Sequence, residues 1–257
     1  MTVAILLRRA QARPGQHDEE QVLGPCERGA LVTGLALASQ RGTDAVAVAV
    51  GPARREDRVL AMALRAGCAR AVRIAGEGFD DLDYLGLAEI LAAATKKLGA
   101  DLVVCGDRSV DERVGAIAPA IAELLGIGHV TGVRSARAVD GAIELEHRGD
   151  GRVLTLRLPP PLVLATVAPP VRTKDAAAAA ATPAPPSAAQ GIVTYELEDL
   201  GLDARRLAPR RALAGRLRPL RGARQATILP SAAELIERLR RERILDGAPP
   251  PEPEPAA

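Results

Sequence analysis

Apolar residues come in short unbroken runs near the start of the chain and in alternating runs later. Val3-Ala4-Ile5-Leu6-Leu7 is continuous, as are Asp44 to Val50 after its first residue and Asp101 to Cys105 after its first residue. Such runs suit parallel strands buried on both faces. Ala69 to Ile74 is half polar and reads as a third strand nearer an edge. Between these runs lie helical stretches. Pro25 and Glu27 suit the first turn of a helix through Ala30–Ala38. Arg54 to Ala66 is a helix stopped by Gly67, and Asp83 caps one that runs to about Leu98 with Gly99 as its stop. The stretch from Arg8 to Gln21 carries Pro14-Gly15 and no period, so it reads as a long loop.

Strands alternating with helices imply right-handed crossovers and a parallel sheet. After Gly126 the texture changes. His129 to Val133, Ala142 to His147 and Arg152 to Arg157 alternate apolar with polar, separated by Asp140-Gly141 and Gly149-Asp150-Gly151. That pattern predicts antiparallel hairpins at one edge, before Pro159-Pro160-Pro161 leads a strand to Val167 back into the core. The expected fold class is therefore α/β: three layers, a mostly parallel sheet with helices on both faces and an antiparallel edge, plus a C-terminal arm and helix. The organisation that follows is an α/β domain over 1–167, an Ala/Pro linker over 168–190, an arm and helix over 191–245, and a Pro/Glu-rich tail over 246–257. Ser231 caps the last helix, Glu234 completes a capping box, and Leu235, Ile236 and Leu239 form its apolar stripe. That helix either docks back on the sheet or binds a partner chain.

Composition narrows the function. With 257 residues there is room for one large domain and a sizeable core. Phe79, Tyr84 and Tyr195 are the only aromatic residues, which disfavours base stacking, and a formal net charge of +2 lacks the field of a dedicated nucleic-acid binder. The basic stretch Arg205 to Arg224 suits RNA, an acidic partner, or an arm wrapping another subunit. Cys26, Cys68 and Cys105 are odd in number and widely spaced, without the pairing that a disulfide framework or zinc site needs. A reducing cytoplasm fits that usage. Val3 to Leu7 is too short for a membrane span or signal core, so no stable membrane insertion is expected.

The most informative stretch is Asp101 to Gly126. An apolar run ends at Gly106, a polar loop carries Ser109 and Asp111, and a small-residue helix closes on Gly126. Open α/β sheets bind anions and nucleotides at this kind of place, where backbone N–H groups and a helix dipole both face the ligand. An ordinary strand-to-helix connection has the same spacing. Elsewhere the candidate chemistry is thin. Asp80, Asp81 and Asp83 suit helix caps better than a metal, His129 and His147 lack neighbours at ligand spacing, and Cys105 reads as core packing. Neither a nucleophile elbow nor a phosphate-loop lysine is present.

Taken in order, several segments resemble the β subunit of the electron-transfer flavoproteins. They are Gly51-Pro52 with the helix ending Leu64-Arg65-Ala66-Gly67-Cys68-Ala69-Arg70-Ala71, and Asp101-Leu102-Val103-Val104-Cys105-Gly106 with Ser109-Val110-Asp111. Ala122-Glu123-Leu124-Leu125-Gly126 with Val130-Thr131, Leu158-Pro159, Leu200-Gly201-Leu202-Asp203, and the last helix with Ile244-Leu245 complete the set. The resemblance covers about residues 1–167 and 192–245.

What the resemblance implies is a heterodimer that carries electrons without itself catalysing bond chemistry. An α subunit holds most of an FAD, the β subunit covers one side of the flavin, and AMP binds in the β subunit's own domain; a second FAD in place of AMP is the other possibility. Electrons pass from dehydrogenase donors to an acceptor. The implied cofactor-binding residues are Leu6, Gly24, Pro25, Cys26, Glu27, Val50, Ser109, Val110, Asp111, Glu112, Arg113, Val114, Gly115, Ala116, Ile117 and Ala118. Catalytic and metal-ligating residues are not implied. This chain departs from the family pattern by carrying Gly24-Pro25-Cys26 in place of an Asn-Pro-Phe loop, Arg113 in place of an acid, and Ala116 and Ala118 in place of Gln and Gly. Arg113 is either a fork of donors to phosphate or a solvated loop charge. The Ala/Pro linker replaces the family's segment after the last core strand. The competing class is a nucleotide-binding α/β module without redox activity, acting as regulator or scaffold; a hydrolase of adenine nucleotides is a third.

Overall fold

Each parallel strand presents successive side chains to opposite faces of one sheet, and both faces are covered. The computed structural model describes residues 1–8, 23–76, 79, 82–109, 114–149, 151–168, 191–207 and 228–245. All of the expected loop over 8–21 beyond Arg8, the Ala/Pro segment beyond 168, most of the basic stretch and the tail lie outside the described residues. Four strands alternate with helices first: β1 (Thr2–Leu6), α1 (Pro25–Arg41), β2 (Asp44–Val50), α2 (Ala53–Ala66), β3 (Arg70–Ile74), α3 (Tyr84–Leu98), β4 (Leu102–Gly106) and α4 (Ile117–Leu125). Then come β5 (Gly128–Val139), β6 (Ala142–Gly149), β7 (Arg152–Leu158), β8 (Leu162–Thr166) and β9 (Ile192–Tyr195).

The described strands form one sheet in the order β7-β6-β5-β8-β4-β1-β2-β3-β9. From β1 the chain steps outward through β2 to β3, then returns to place β4 on the other side of β1. β1 pairs in parallel with both, Val3 beside Ala45 on one side and beside Leu102 on the other. Because parallel crossovers are right-handed as a rule, reversing the direction of travel puts the next helices on the opposite face. Val3, Ile5, Ala47 and Val104 accordingly pack with residues of α1 and α2, among them Leu31, Leu37, Leu60 and Ala63. Ala4, Leu6, Val48, Val103 and Cys105 pack with Ala88, Ile90 and Leu91 of α3 and Ile121 of α4. Full burial of each large aliphatic side chain contributes roughly 1.5–3 kcal/mol.

The caps fall where local chemistry places them. Asp83 accepts hydrogen bonds from the backbone N–H groups of Leu85 (3.0 Å) and Gly86 (2.9 Å) at the start of α3. Gly67, Gly99 and Gly126 end α2, α3 and α4 in the left-handed region. Arg41, in the last turn of α1, pairs with Asp101 just before β4 and fastens the end of the sheet opposite the crossover loops.

The antiparallel edge matches the alternation in sequence, with Asp140 (φ 48°) and Gly141 (φ 77°) making the two-residue turn between β5 and β6. β5 runs well past the predicted segment, to Val139. At the other end, β3 has a neighbour: Thr194 to Gly201 reads as a short strand-like element in sequence, but its place beside β3 cannot be read there. β9 pairs with it in parallel, Arg73 beside Thr194. The Arg73 guanidinium pairs with Asp57 of α2 and donates to Thr194 Oγ1 (2.7 Å). Leu197 and Leu207 then bury themselves on the face covered by α3 and α4. Residues 191–207 therefore complete the α/β layer.

The chain divides into a unit of Met1–Leu213 and another of Ala214–Ala257. In the second, Ser231 accepts a hydrogen bond from the Glu234 N–H (3.2 Å) and opens α5 (Ala232–Arg241). Leu235, Ile236, Ile244 and Leu245 of this unit are exposed. None of the described helices is long and apolar enough to cross a membrane.

Gly34 shows how closely α1 lies on β1. A β-carbon there would stand 2.6 Å from both Cγ1 and Cδ1 of fully buried Ile5. Gly34→Ala should therefore lower stability by about 1–2 kcal/mol in urea unfolding, the clash outweighing the better helix propensity of alanine. Adding Ile5→Val should recover part of that loss.

Candidate functional site

Strand order reverses between β1 and β4, the kind of switch point at whose carboxyl ends open α/β sheets bind ligands, and the loops that begin α1 and α4 both start there. In the first loop, Gly24 and Glu27 are buried, Cys26 is half-buried and Pro25 is exposed. Glu27 keeps only 8% of its surface. Its position in the first turn of α1 favours a carboxylate, since the helix N-terminus carries partial positive charge. In the second loop, Gly106 lies against α1. A β-carbon on Gly106 would meet Cys26 Cβ at 3.1 Å and the Glu27 nitrogen at 3.2 Å. Gly115 (φ 68°) closes the far side of the loop, where an added β-carbon would lie 3.2 Å from the Asp107 carbonyl oxygen and 3.5 Å from Arg108 Cγ.

Hydrogen bonds fix this arrangement. The Asp107 N–H donates to the Thr166 carbonyl (2.8 Å), joining the end of β4 to the end of β8. The Thr166 hydroxyl lies 3.2 Å from the Cys26 carbonyl oxygen and 3.3 Å from that of Cys105, so one small side chain links α1, β4 and β8. The Asp107 carboxylate accepts from the Gly132 N–H (2.8 Å) and from Arg108 Nε (3.2 Å). Backbone N–H groups of Arg108 and Ala168 face the Cys26 sulfur. Neither α1 nor α4 begins with a side-chain cap, in contrast to α3. The residues at those two N-cap positions, Gly24 and Ala116, have no side chain able to accept a hydrogen bond from the first turn.

The residues expected from the sequence fall into four groups. Cys26 and Glu27 meet the loop after β4, and Gly115 meets Asp107 and Arg108. Leu6 is buried at the carboxyl end of β1, and Val50 ends the neighbouring β2, two positions beyond Val48, the register partner of Leu6. Leu6 and Val50 thus share the sheet edge. Ser109 is half-buried on the loop, Val114 is 56% exposed, and Ala116 and Ile117 begin α4. Ala118 turns its methyl into the core below α4, so there the chain can offer a ligand only its backbone. Val110, Asp111, Glu112 and Arg113 lie outside the described residues. Asp107 and Thr166 were missed in sequence. A carboxylate immediately after a strand-ending glycine was the available signal for Asp107; Thr166 gave none.

Titration of the thiols follows their surroundings. Burial raises the Cys26 pKa, and the nearby Glu27 and Asp107 carboxylates add to the rise, against the opposing pull of the Arg108 and Ala168 amides. Cys68 and Cys105 are pushed up to about 12, principally by burial. No group of three or more His, Cys, Asp and Glu side chains able to hold a metal occurs among the described residues.

A doubly wound α/β sheet with such a switch point defines a class of ligand-binding folds. The electron transfer flavoprotein domain model matches residues 15–193, and the chain belongs to that family. It is 34% identical over 148 residues to the protein FixA of Bradyrhizobium diazoefficiens, covering 54% of this chain and 51% of that protein. FixA of Azorhizobium caulinodans is 34% identical over 148 residues, covering 54% and 52%. The electron transfer flavoprotein subunit beta of Clostridium acetobutylicum is 32% identical over 120 residues, covering 47% and 46%. The chain spans about half the length of the curated relatives it matches.

The thiol environment gives a direct check on this site. Cys26 should react with iodoacetamide several-fold more slowly than a free thiol at pH 7, where it stays protonated, and its rate should still be climbing above pH 9. A rate that levels off by pH 7 would show a thiolate and overturn the burial and charge assignment.

Proposed function

We propose that this chain is the β-like subunit of an electron-transfer flavoprotein. It pairs with an FAD-holding α subunit, accepts electrons from dehydrogenase donors, passes them to an acceptor, and binds AMP, or FAD in its place, in its own α/β domain. The observation that carries this reading is the switch in strand order between β1 and β4, where the N-cap residues of α1 and α4 make no side-chain cap, beside Gly106 and Gly115. Backbone N–H groups at such a place suit a phosphate without any dedicated side chain.

The residues fit a nucleotide in named roles. The first turn of α1 at Cys26 and Glu27, and the loop from Ser109 to Ala118, would hold the phosphate. Leu6 and Val50 would line the sheet edge beneath the nucleoside. Arg113 would add a guanidinium fork. Within the assembly, the flavin supplies reversible uptake and release of electrons, and this chain's part is to exclude water and set the electrostatic surroundings. The C-terminal segment around α5, with its exposed Leu235 and Ile236, would serve as an arm against the α subunit. The cytoplasm is the compartment that suits three unpaired cysteines.

Co-expression with an α-like flavoprotein subunit tests the reading. A complex that purifies yellow and releases AMP on denaturation is expected. A colourless complex, or failure to associate, would favour the nucleotide-binding module without redox activity. In the yellow complex, Arg113→Ala should lower AMP affinity by about tenfold, the loss of one charged hydrogen-bonding partner. Unchanged affinity would remove Arg113 from the site.

A further inference from the structure

Thr131 and Gly132 form a bulge in β5. The pairing with β8 shifts register between Val130 and Val133, and the pairing with β6 shifts between Val133 and Ser135. Gly132 has φ 64°, which turns the Thr131–Gly132 peptide out of the ladder. Both polar atoms of this one peptide group are nonetheless engaged. Its N–H donates to Asp107 Oδ1 at 2.8 Å, and its carbonyl oxygen lies 2.6 Å from His147 Nδ1. A carbonyl only accepts, so the imidazole proton sits on Nδ1. The side chains of Asp107 and His147 thus grip the same peptide from opposite sides. Each bond polarises the amide so as to strengthen the other.

Asp107 is also the residue on which the loop after β4 turns. Its N–H is bonded to Thr166, its carboxylate receives Arg108 Nε, and its carbonyl abuts Gly115. We propose that Asp107 and His147 are positioning residues that clamp the Thr131–Gly132 peptide, so that the antiparallel edge sets the shape of the loop after β4 and thereby its affinity for a nucleotide. The affinity part rests on the nucleotide reading above; the clamp itself does not. Bulges commonly lie beside functional sites and re-aim neighbouring groups. Here the displaced peptide reaches across the end of β8 to the loop after β4, the next strand but one in the sheet.

The test uses the full chain, with AMP affinity measured by titration calorimetry and hydrogen exchange of segments 106–109 and 130–133 followed by mass spectrometry. Asp107→Ala and His147→Ala should each speed exchange in both segments and weaken AMP binding about tenfold, as loss of one hydrogen bond would. Asp107→Asn keeps an acceptor and His147→Asn keeps a donor, so both should recover most of the loss. The double alanine variant should be no worse than the weaker single one, since the second bond fails with the first. Lower thermal stability with loop exchange and AMP affinity unchanged would reduce both residues to ordinary scaffolding and overturn the proposal. So would losses that simply add in the double variant. If the unaltered chain binds no AMP, the nucleotide reading falls, and the exchange measurements alone decide the clamp.

Discussion

The structure depends on how closely the end of β4 approaches the first turn of α1. Gly106 allows that approach because any larger residue would press on the Cys26 β-carbon and the Glu27 nitrogen. With that contact made, β1 is held between β2 and β4, α1 closes one side of the switch point, and α4 must leave on the opposite face. Thr166 then needs only one hydroxyl to bind both neighbours, because β8 ends at the same level. Cores packed to crystal density transmit such constraints over several residues. The position of each loop at this edge therefore follows from one backbone contact.

Among the described residues, the acids at this edge are met by a helix terminus and by hydrogen-bond donors. Glu27 and Asp107 are both acids, and both raise the pKa of Cys26. Asp107 is nonetheless turned toward Gly132 and Arg108, where its charge is met by two donors. Glu27 lies at the positive end of α1. Each acid is thus placed where a helix terminus or a donor offsets it, which leaves this edge less negative than its composition suggests. The thiols contribute no charge near neutral pH, since burial keeps them protonated.

Much of this was legible in the residues and some was not, for physical reasons. The parallel strands showed as continuous apolar runs because both faces are buried. The helix ends showed because Asp83 and the stop glycines act on their own neighbours. Asp140-Gly141 announced its turn by the left-handed backbone it requires. The bounds and pairing of β9 were hidden because four residues carry little pattern, and its place beside β3 rests on Arg73, Asp57 and Thr194, which are far apart in the chain. The end of β5 was hidden because Arg134 to Val139 mixes small and charged residues with weak alternation. Of the site, the strand-end glycine and the following helix were readable from the periodic stretch around them. Asp107 and Thr166 act on groups 25 and 140 residues away, and spacing says nothing about contacts at that range.

The departures from the family pattern weigh less than a comparison of side chains suggests. Replacing an Asn-Pro-Phe loop by Gly24-Pro25-Cys26 removes an amide and a ring, yet α1 still starts there with Pro25 in its first turn and no side-chain cap. Exchanging Gln and Gly for Ala116 and Ala118 removes one polar group and fills one gap, yet α4 still begins at the strand ends and Ala118 sends its methyl inward. A phosphate held by backbone N–H groups needs the helix starts and the turn at Gly115, and these persist. On the proposed reading the redox chemistry belongs to the flavin. What selection must keep in such a subunit is then the geometry of a few peptide groups, which tolerates wide change in the side chains around them.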